Sequence, residues 1–209
     1  MPGDVIDTRR RMVAEQIRAR GVRDAQVLDA MTRVPREQFV PQALRHEALE
    51  DRPIAIGHGQ TISQPYIVGY MTEALKLEAS HRVLEIGTGC GYQTAVLAEL
   101  AREVFSIERI PELADRARGT LEELHYNNVH IRAGDGYEGW PEHAPFDRII
   151  GAAAAPFVPP ALVEQLAAGG ILVLPIGTVN QDLWVMQKRG ETVETVATLP
   201  VRFVPMIKS

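Results

Sequence analysis

The sequence predicts an α/β protein. The expected form is a mostly parallel, doubly wound sheet with antiparallel strands at one edge and a helical cap at the N-terminus. Three observations carry that prediction. From residue 82 onward, short apolar runs alternate with helix-like stretches such as YQTAVLAELA and PELADRARGTLEELHY, the order that builds a parallel sheet covered on both faces. The last two strand-like runs, DLWVMQKR and ETVETVATLPVRFVPMI, follow each other without room for a crossover helix, so they pair antiparallel. The first third has helical apolar stripes punctuated by Pro35, Pro41 and Pro53, and those stripes need another surface to cover them.

Taken in order, residues 5–20 form a one-faced helix through Ile6, Met12, Val13 and Ile17, ending before Gly21. Asp24 supplies a side-chain cap for a second helix containing Val27, Leu28 and Met31, because its carboxylate can accept from the first free helical N–H groups. A short helix is expected near 36–49 and a longer one over 66–77. RVLEIG (82–87) is the first buried strand, residues 92–101 a helix, and EVFSIE (103–108) the next strand. Residues 111–126 are helical, with Pro111 in the first turn where its missing N–H costs nothing. NVHIRAGD (128–135) and FDRIIGAAA (146–154) give two further strands. PPALVEQLAAG reads as a helix, GILVLPIG (170–177) as a fifth strand, and 182–189 and 191–207 as the antiparallel edge.

Composition narrows the function. The chain has 22 Lys+Arg against 27 Asp+Glu, a formal charge of −5, and so lacks the overall positive footprint that duplex phosphates require. No nucleic-acid partner is expected. Cys90 is the single cysteine, which excludes an intrachain disulfide and a cysteine metal cluster and fits a reducing compartment. The N-terminal MPGDVIDTRRRMVAEQIRAR has no apolar segment after its charges, and no apolar run approaches 20 residues. The expectation is a cytoplasmic protein without a membrane partner. The six histidines, at 46, 58, 81, 125, 130 and 143, show no metal-ligand spacing, and no metal is expected.

The most informative local pattern is EIGTGCGYQ, residues 85–93. Gly87, Gly89 and Gly91 lie between a buried strand and a helix start, where backbone can approach a ligand and free N–H groups face it. A dinucleotide fingerprint needs a further glycine where Tyr92 stands. Glu108, at the end of the second strand, can accept from two ribose hydroxyls of either an NAD-like cofactor or S-adenosylmethionine. Glu85, read as lying inside the turn, places a negative charge where a pyrophosphate would be repelled and a cofactor ammonium welcomed. The balance favours S-adenosylmethionine, with S-adenosylhomocysteine as product. Asp135 and Gly136 end the third strand, Asp135 as an acceptor for an adenine amino group and Gly136 as a point of close approach. Asp135 reads equally as an Asx turn. Thr88 and Arg109, beside the loop and Glu108, are counted with this set, since ligands in such sheets gather at the carboxyl ends of strands.

A second pattern, GHGQTISQPY (57–66), precedes an apolar helix. Ser63 or Gln64 can cap that helix with Pro65 at its first position, or Ser63 can donate a hydrogen bond to a substrate. Gln60 and Thr61 offer further polar contacts, or satisfy loop backbone groups. His58 is not assigned a catalytic role.

With these residues in view, the sequence resembles the protein-L-isoaspartate (D-aspartate) O-methyltransferase family. The resemblance runs through VPREQFVP, IGHGQTISQPYIVGYMTEAL, VLEIGTGCGYQTAVLA, SIERIPELA, GDGYEGWPEHAPFDRII, LVEQLAAGGILVLPIG and VRFVP. The glycine loop is common to many class I methyltransferases, whereas GHGQTISQP and GDGYEGWPEHAPFD are far more specific. The resemblance implies a Rossmann-like class I methyltransferase fold in one domain over 1–209. Residues 1–65 form the helical cap and substrate loop, and residues 66–209 form the cofactor-binding core. It implies methyl transfer from S-adenosylmethionine to the free α-carboxyl of L-isoaspartyl residues, and more weakly of D-aspartyl residues, in damaged proteins and peptides. The ester then collapses to a succinimide, which begins repair. Ser63 takes the active-site role, with Gln60, Thr61, Ile62 and Arg202 at the substrate. Some family members carry VTAAAP where this chain has GAAAAP, so a threonine hydroxyl is replaced by Ala152. The expected partners are transiently bound isoaspartyl peptides, and the expected state is a monomer.

The chemistry agrees with the residue inventory. A carboxylate with a reference pKa near 3–4 is ionised at neutral pH, so its attack on a sulfonium methyl needs alignment more than a general base. Three other readings share parts of the pattern: a small-molecule methyltransferase, an NAD-dependent oxidoreductase, and a cofactor-binding sensor without turnover.

Overall fold

A computed structural model describes residues 2–208. Met1 and Ser209, which the one-domain reading also takes in, lie outside the described residues. Helix α1 (Pro2–Met12) runs on through a π turn (Val13–Ile17) and a 3-10 turn (Arg18–Arg20), and stops at Gly21, where φ is 108°. Its stripe of Met12, Val13 and Ile17 is buried. Helix α2 (Ala25–Arg33) begins on the expected cap, with Asp24 accepting from the N–H groups of Gln26 and Val27 at 2.8 and 3.2 Å.

The single short helix expected over 36–49 is two 3-10 turns, Arg36–Phe39 and Gln42–Glu47. Pro35 and Pro41 immediately precede them, and the residue before a proline is pushed out of the helical region. A further element was not anticipated: β1 (Ile54–Gly57) and β2 (Gln60–Ile62) form a two-stranded antiparallel hairpin. Helix α3 (Pro65–Ala74) follows with Pro65 in its first turn. The N–H groups of Arg23 and Asp24 both donate to Glu73 at its far end, at 2.5 and 2.6 Å. The cap is thus held to α3 by directional bonds as well as by a shared core of Ile17, Val22, Met31, Val68, Tyr92 and Ala95.

The remaining elements are β3 (Arg82–Ile86), α4 (Tyr92–Ala98), β4 (Glu103–Glu108), α5 (Pro111–Glu123), β5 (Val129–Ala133), β6 (Phe146–Gly151), α6 (Pro160–Gln165), β7 (Leu166–Gly177), β8 (Gln181–Arg189) and β9 (Thr192–Val201). The helix expected over PPALVEQLAAG ends early, because β7 begins at Leu166 and pairs there with Phe146. Seven strands form one sheet in the order β5-β4-β3-β6-β7-β8-β9. Pairings from β5 to β7 are parallel, and β7–β8 and β8–β9 are antiparallel. Alternate side chains of the central strands enter two different cores. Leu84, Ile86, Phe105, Ile107 and Ile149 face one, and Val83, Val104, Ile150 and Val173 face the other. That two-sided burial is why these strands are continuous apolar runs.

The strand order reverses at β3, with β4 on one side and β6 on the other. This switch point is where a doubly wound sheet opens a crevice beyond its carboxyl ends.

Candidate active site

A cleft enclosing about 930 Å³, part of it open to solvent, lies at that switch point. Its floor consists of Gly87, Thr88 and Gly89 after β3, Glu108 at the end of β4 with Arg109 and Ile110 after it, Gly136 after β5, and Ala152 and Ala153 after β6. Gln60, Thr61, Ile62 and Ser63 form a second wall, and Val204, Pro205, Met206 and Ile207 a third. The third wall is held by backbone pairing: Ala154 N–H donates to Val204 O at 2.8 Å, and Met206 N–H donates to Ala154 O at 2.7 Å.

Most of the residues picked out from the sequence therefore converge, but four of them do not line the cleft. Glu85 lies within β3, not inside the turn, and is completely buried rather than at the cleft. Its Oε2 accepts from Thr94 Oγ1 at 2.5 Å and from Ser106 Oγ at 2.6 Å, while Oε1 has no partner among the described residues. Burial pushes this carboxyl up to about 7 despite the two hydroxyl donors, and the nearby Glu108 adds to the rise. With Glu85 ionised, Ser106 donates its proton to it, which leaves Thr88 as the donor in the 2.6 Å contact between Thr88 Oγ1 and Ser106 Oγ. Glu85 thus acts on the glycine loop from beneath, through Ser106 and Thr88.

Gly91 faces away from the cleft. A Cβ there would sit 3.1 Å from Leu121 Cδ1 and 3.3 Å from Ala117 Cβ, so this glycine lets α4 pack against α5. Asp135 accepts from Tyr137 N–H at 2.9 Å, the Asx turn that was its alternative reading, and it is Gly136 that reaches the cleft wall. Arg202 is exposed and does not line the cleft. The C-terminal segment contributes the four residues after Phe203 instead, because Gln181 accepts from Phe203 N–H at 2.6 Å and donates to its carbonyl at 3.2 Å, pinning that turn.

Glu108 is placed as expected. It is 6% exposed, with Oε2 accepting from Gly89 N–H at 2.7 Å and Oε1 from Ile110 N–H at 3.0 Å. A carboxylate has about four acceptor positions, so both oxygens retain capacity for ligand hydroxyls. Gly136 lets the backbone pack against Ile86 of the cleft wall, since a Cβ there would run into Ile86 Cγ2. The cleft also takes in residues not singled out for it beforehand, among them Ile86, Cys90, Tyr92, Ile107 and Ala153. Burial raises the Cys90 thiol above its ordinary range.

On the second wall, the proposed capping role of Ser63 is not what the geometry contains. The residue at the N-cap of α3 is Gln64, no side chain caps that helix, and Gln64 instead donates to Asp51 Oδ1 at 2.8 Å. The Ser63 carbonyl accepts from Arg36 at 2.7 Å. Its half-buried hydroxyl, at the cleft wall, has no hydrogen bond to any other described residue. Among the described residues no group of three or more His, Cys, Asp or Glu could hold a metal ion. Nor is any helix among them long and apolar enough to cross a membrane.

A glycine-lined floor, a backbone-anchored acidic residue at the end of the second parallel strand and an apolar cradle of Ile86, Ile107 and Ile110 fit S-adenosylmethionine, with Glu108 as the acceptor for ribose hydroxyls. The fold and cleft define a class I S-adenosylmethionine-dependent methyltransferase. A family model described as Protein-L-isoaspartate(D-aspartate) O-methyltransferase (PCMT) matches residues 7–209. The chain belongs to that family. A protein-L-isoaspartate O-methyltransferase of Picosynechococcus is 56% identical over 198 residues, covering 95% of this chain and 89% of its own. A second, from Marinobacter nauticus, is 56% identical over 207 residues, covering 98% and 94%. A Plasmodium falciparum protein described as a family member in complex with S-adenosyl-L-homocysteine superimposes with a TM-score of 0.83 at 25% identity, covering 96% of this chain and 99% of its own.

Proposed function

We propose that Ser63 positions the acceptor carboxylate in the family's reaction, while Gly87, Thr88, Gly89, Glu108, Arg109 and Gly136 hold the cofactor. The reaction itself transfers a methyl group to the free α-carboxyl of L-isoaspartyl residues, and more weakly of D-aspartyl residues, so that the ester can collapse to a succinimide. S-adenosylmethionine supplies the electrophilic methyl carbon on a sulfonium and leaves as S-adenosylhomocysteine.

The chain's own task is alignment. The acceptor is ionised at neutral pH with a reference pKa of about 3.5, so no residue needs to remove a proton. The Ser63 hydroxyl donates to one carboxylate oxygen and leaves the other free to attack; no bond forms to the serine. Gln60, Thr61 and Ile62 line the same wall, and the Val204–Ile207 segment closes the cleft from the other side. Ala152 presents only a methyl group at the floor, where its Cβ would lie 3.5 Å from a Cβ on Gly87. Residues 1–65 thus supply the acceptor side and 66–209 the cofactor side of one domain. The same reading takes the chain as a cytoplasmic monomer that meets damaged polypeptides transiently, without nucleic-acid or membrane partners; the acidic charge and single cysteine support it.

The observation that carries the assignment of Ser63 is its hydroxyl, at the cleft wall, committed to no other described residue. A hydrogen bond to a charged group contributes about 1.5–3 kcal/mol, so Ser63→Ala lowers kcat/KM for an isoaspartyl peptide about 10- to 100-fold. Affinity for S-adenosylhomocysteine stays within about twofold, because the lost contact is to the acceptor alone. Undiminished turnover in this variant would remove Ser63 from the mechanism.

A further inference from the structure

Ser63 rides on the smallest sheet in the molecule. The β1–β2 hairpin pairs only Ile54 with Ile62, Ala55 with Thr61 and Gly57 with Gln60, and a two-stranded hairpin of that size is at best marginally stable by itself. Its position must come from outside. Ile54, Ile56 and Ile62 are buried beneath it, but apolar burial is non-directional and does not set where along the cleft the Ser63 hydroxyl sits.

Two directional contacts do. Arg36 donates from Nη2 to the Ser63 carbonyl at 2.7 Å, and Arg116 on α5 donates from Nη2 to the Ile56 carbonyl at 2.6 Å. Ile56 is the extra residue at the irregularity between Ala55 and Gly57, and a bulged residue stands outside the strand ladder. Arg36 is in turn fixed by its Nε–H, which donates to Ala48 O at 2.7 Å, and by the Tyr92 ring, whose centre is 4.7 Å from its guanidinium carbon. It is fully buried and forms no ion pair with a carboxylate among the described residues. A buried, unpaired cation is costly. What it adds here is a rigid planar fork spanning the carbonyls of Ala48 and Ser63, stacked on a residue of the cleft wall.

We infer that Arg36 and Arg116 are positioning residues that clamp the hairpin at its two ends, so that the Ser63 hydroxyl meets the acceptor at the cofactor floor. The inference rests on the reading of Ser63 given above. Neither arginine lines the cleft; both act through the main chain of the hairpin.

The test uses the full chain and four variants: Ser63→Ala, Arg36→Lys, Arg116→Met and Arg116→Lys. Melting temperature, S-adenosylhomocysteine affinity by calorimetry, and kcat and KM for an isoaspartyl peptide are measured for each. A misplacement near 1 Å can cost about 100-fold in rate, so Arg36→Lys lowers kcat/KM about 10- to 100-fold and Arg116→Met about 3- to 10-fold. Both keep cofactor affinity within about twofold. Arg116→Lys, which can still donate to the Ile56 carbonyl, recovers most of the loss. Arg116 is exposed, so Arg116→Met remains informative even if Arg36→Lys fails to fold. A slow Ser63→Ala beside an Arg116→Met with normal kinetics would overturn the clamp alone, whatever Arg36→Lys does. Equal losses of cofactor affinity and turnover in Arg116→Met would also overturn it. A Ser63→Ala variant with normal turnover would overturn the Ser63 reading and this inference with it.

Discussion

Replacing Glu85 by glutamine alters how stability depends on pH, and the structure sets both the sign and the size of the effect. The carboxyl is fully buried, accepts two hydroxyl hydrogen bonds at Oε2, and titrates near 7 instead of its ordinary 4.5. In the unfolded chain it releases its proton near 4.5. Between those values the folded state holds more protons than the unfolded state, so this group makes stability fall as pH rises. Below 4.5 its contribution vanishes; above 7 the full penalty applies, about 3 kcal/mol for a displacement of that size. A glutamine oxygen can accept from Thr94 and Ser106 as Oε2 does, and its amide group does not ionise. Urea unfolding of wild type and Glu85→Gln between pH 5 and 8 isolates this residue, because every other titrating group is common to both proteins. From the acid end to the alkaline end, wild type loses stability relative to the variant, by about 1 M in urea midpoint. Parallel pH profiles would refute the argument, since they would mean that the carboxyl titrates alike in both states.

Glu108→Gln replaces an oxygen that now accepts a backbone N–H with an amide donor. Affinity for S-adenosylhomocysteine should fall about 10- to 100-fold by calorimetry, the equivalent of about 1.5–3 kcal/mol for a hydrogen bond to a charged group; unchanged affinity would place the ribose elsewhere. Gly136→Ala drives a methyl group against Ile86 Cγ2, and overpacking of about 1–3 kcal/mol should lower the Tm by roughly 2–10 °C. A variant that melts with wild type would show that Ile86 yields without cost.

Much of this was legible because the strongest signals are local. EVFSIE forms a strand over the predicted residues, Pro111 opens α5, and Asp24 caps α2. Each depends on residues within a few positions of one another. The hairpin was missed because IAIG and QTI are too short for a period of two to stand out in a stretch already marked by proline and glycine. Glu85 was misplaced for a different reason. Sequence shows a carboxylate two residues before a glycine loop, but only the sheet reveals that Thr94 and Ser106, from elements 9 and 21 residues away, close over it. The loss of Arg202 and the gain of Val204–Ile207 share that character, since the turn at Phe203 is set by Gln181, 22 residues earlier. Gly87, Gly89, Glu108 and Gly136 did converge on one cleft, because strand ends in a parallel sheet meet by topology alone, whereas the TIS stretch reaches it from the separate hairpin.

Cys90 sits at the edge of that cleft, sealed at 6% exposure and held in its neutral form by burial. Oxidants and electrophiles attack the thiolate, and access governs the rate as much as ionisation does. The single thiol beside the cofactor loop is therefore chemically quiet. Turnover should need no added reductant.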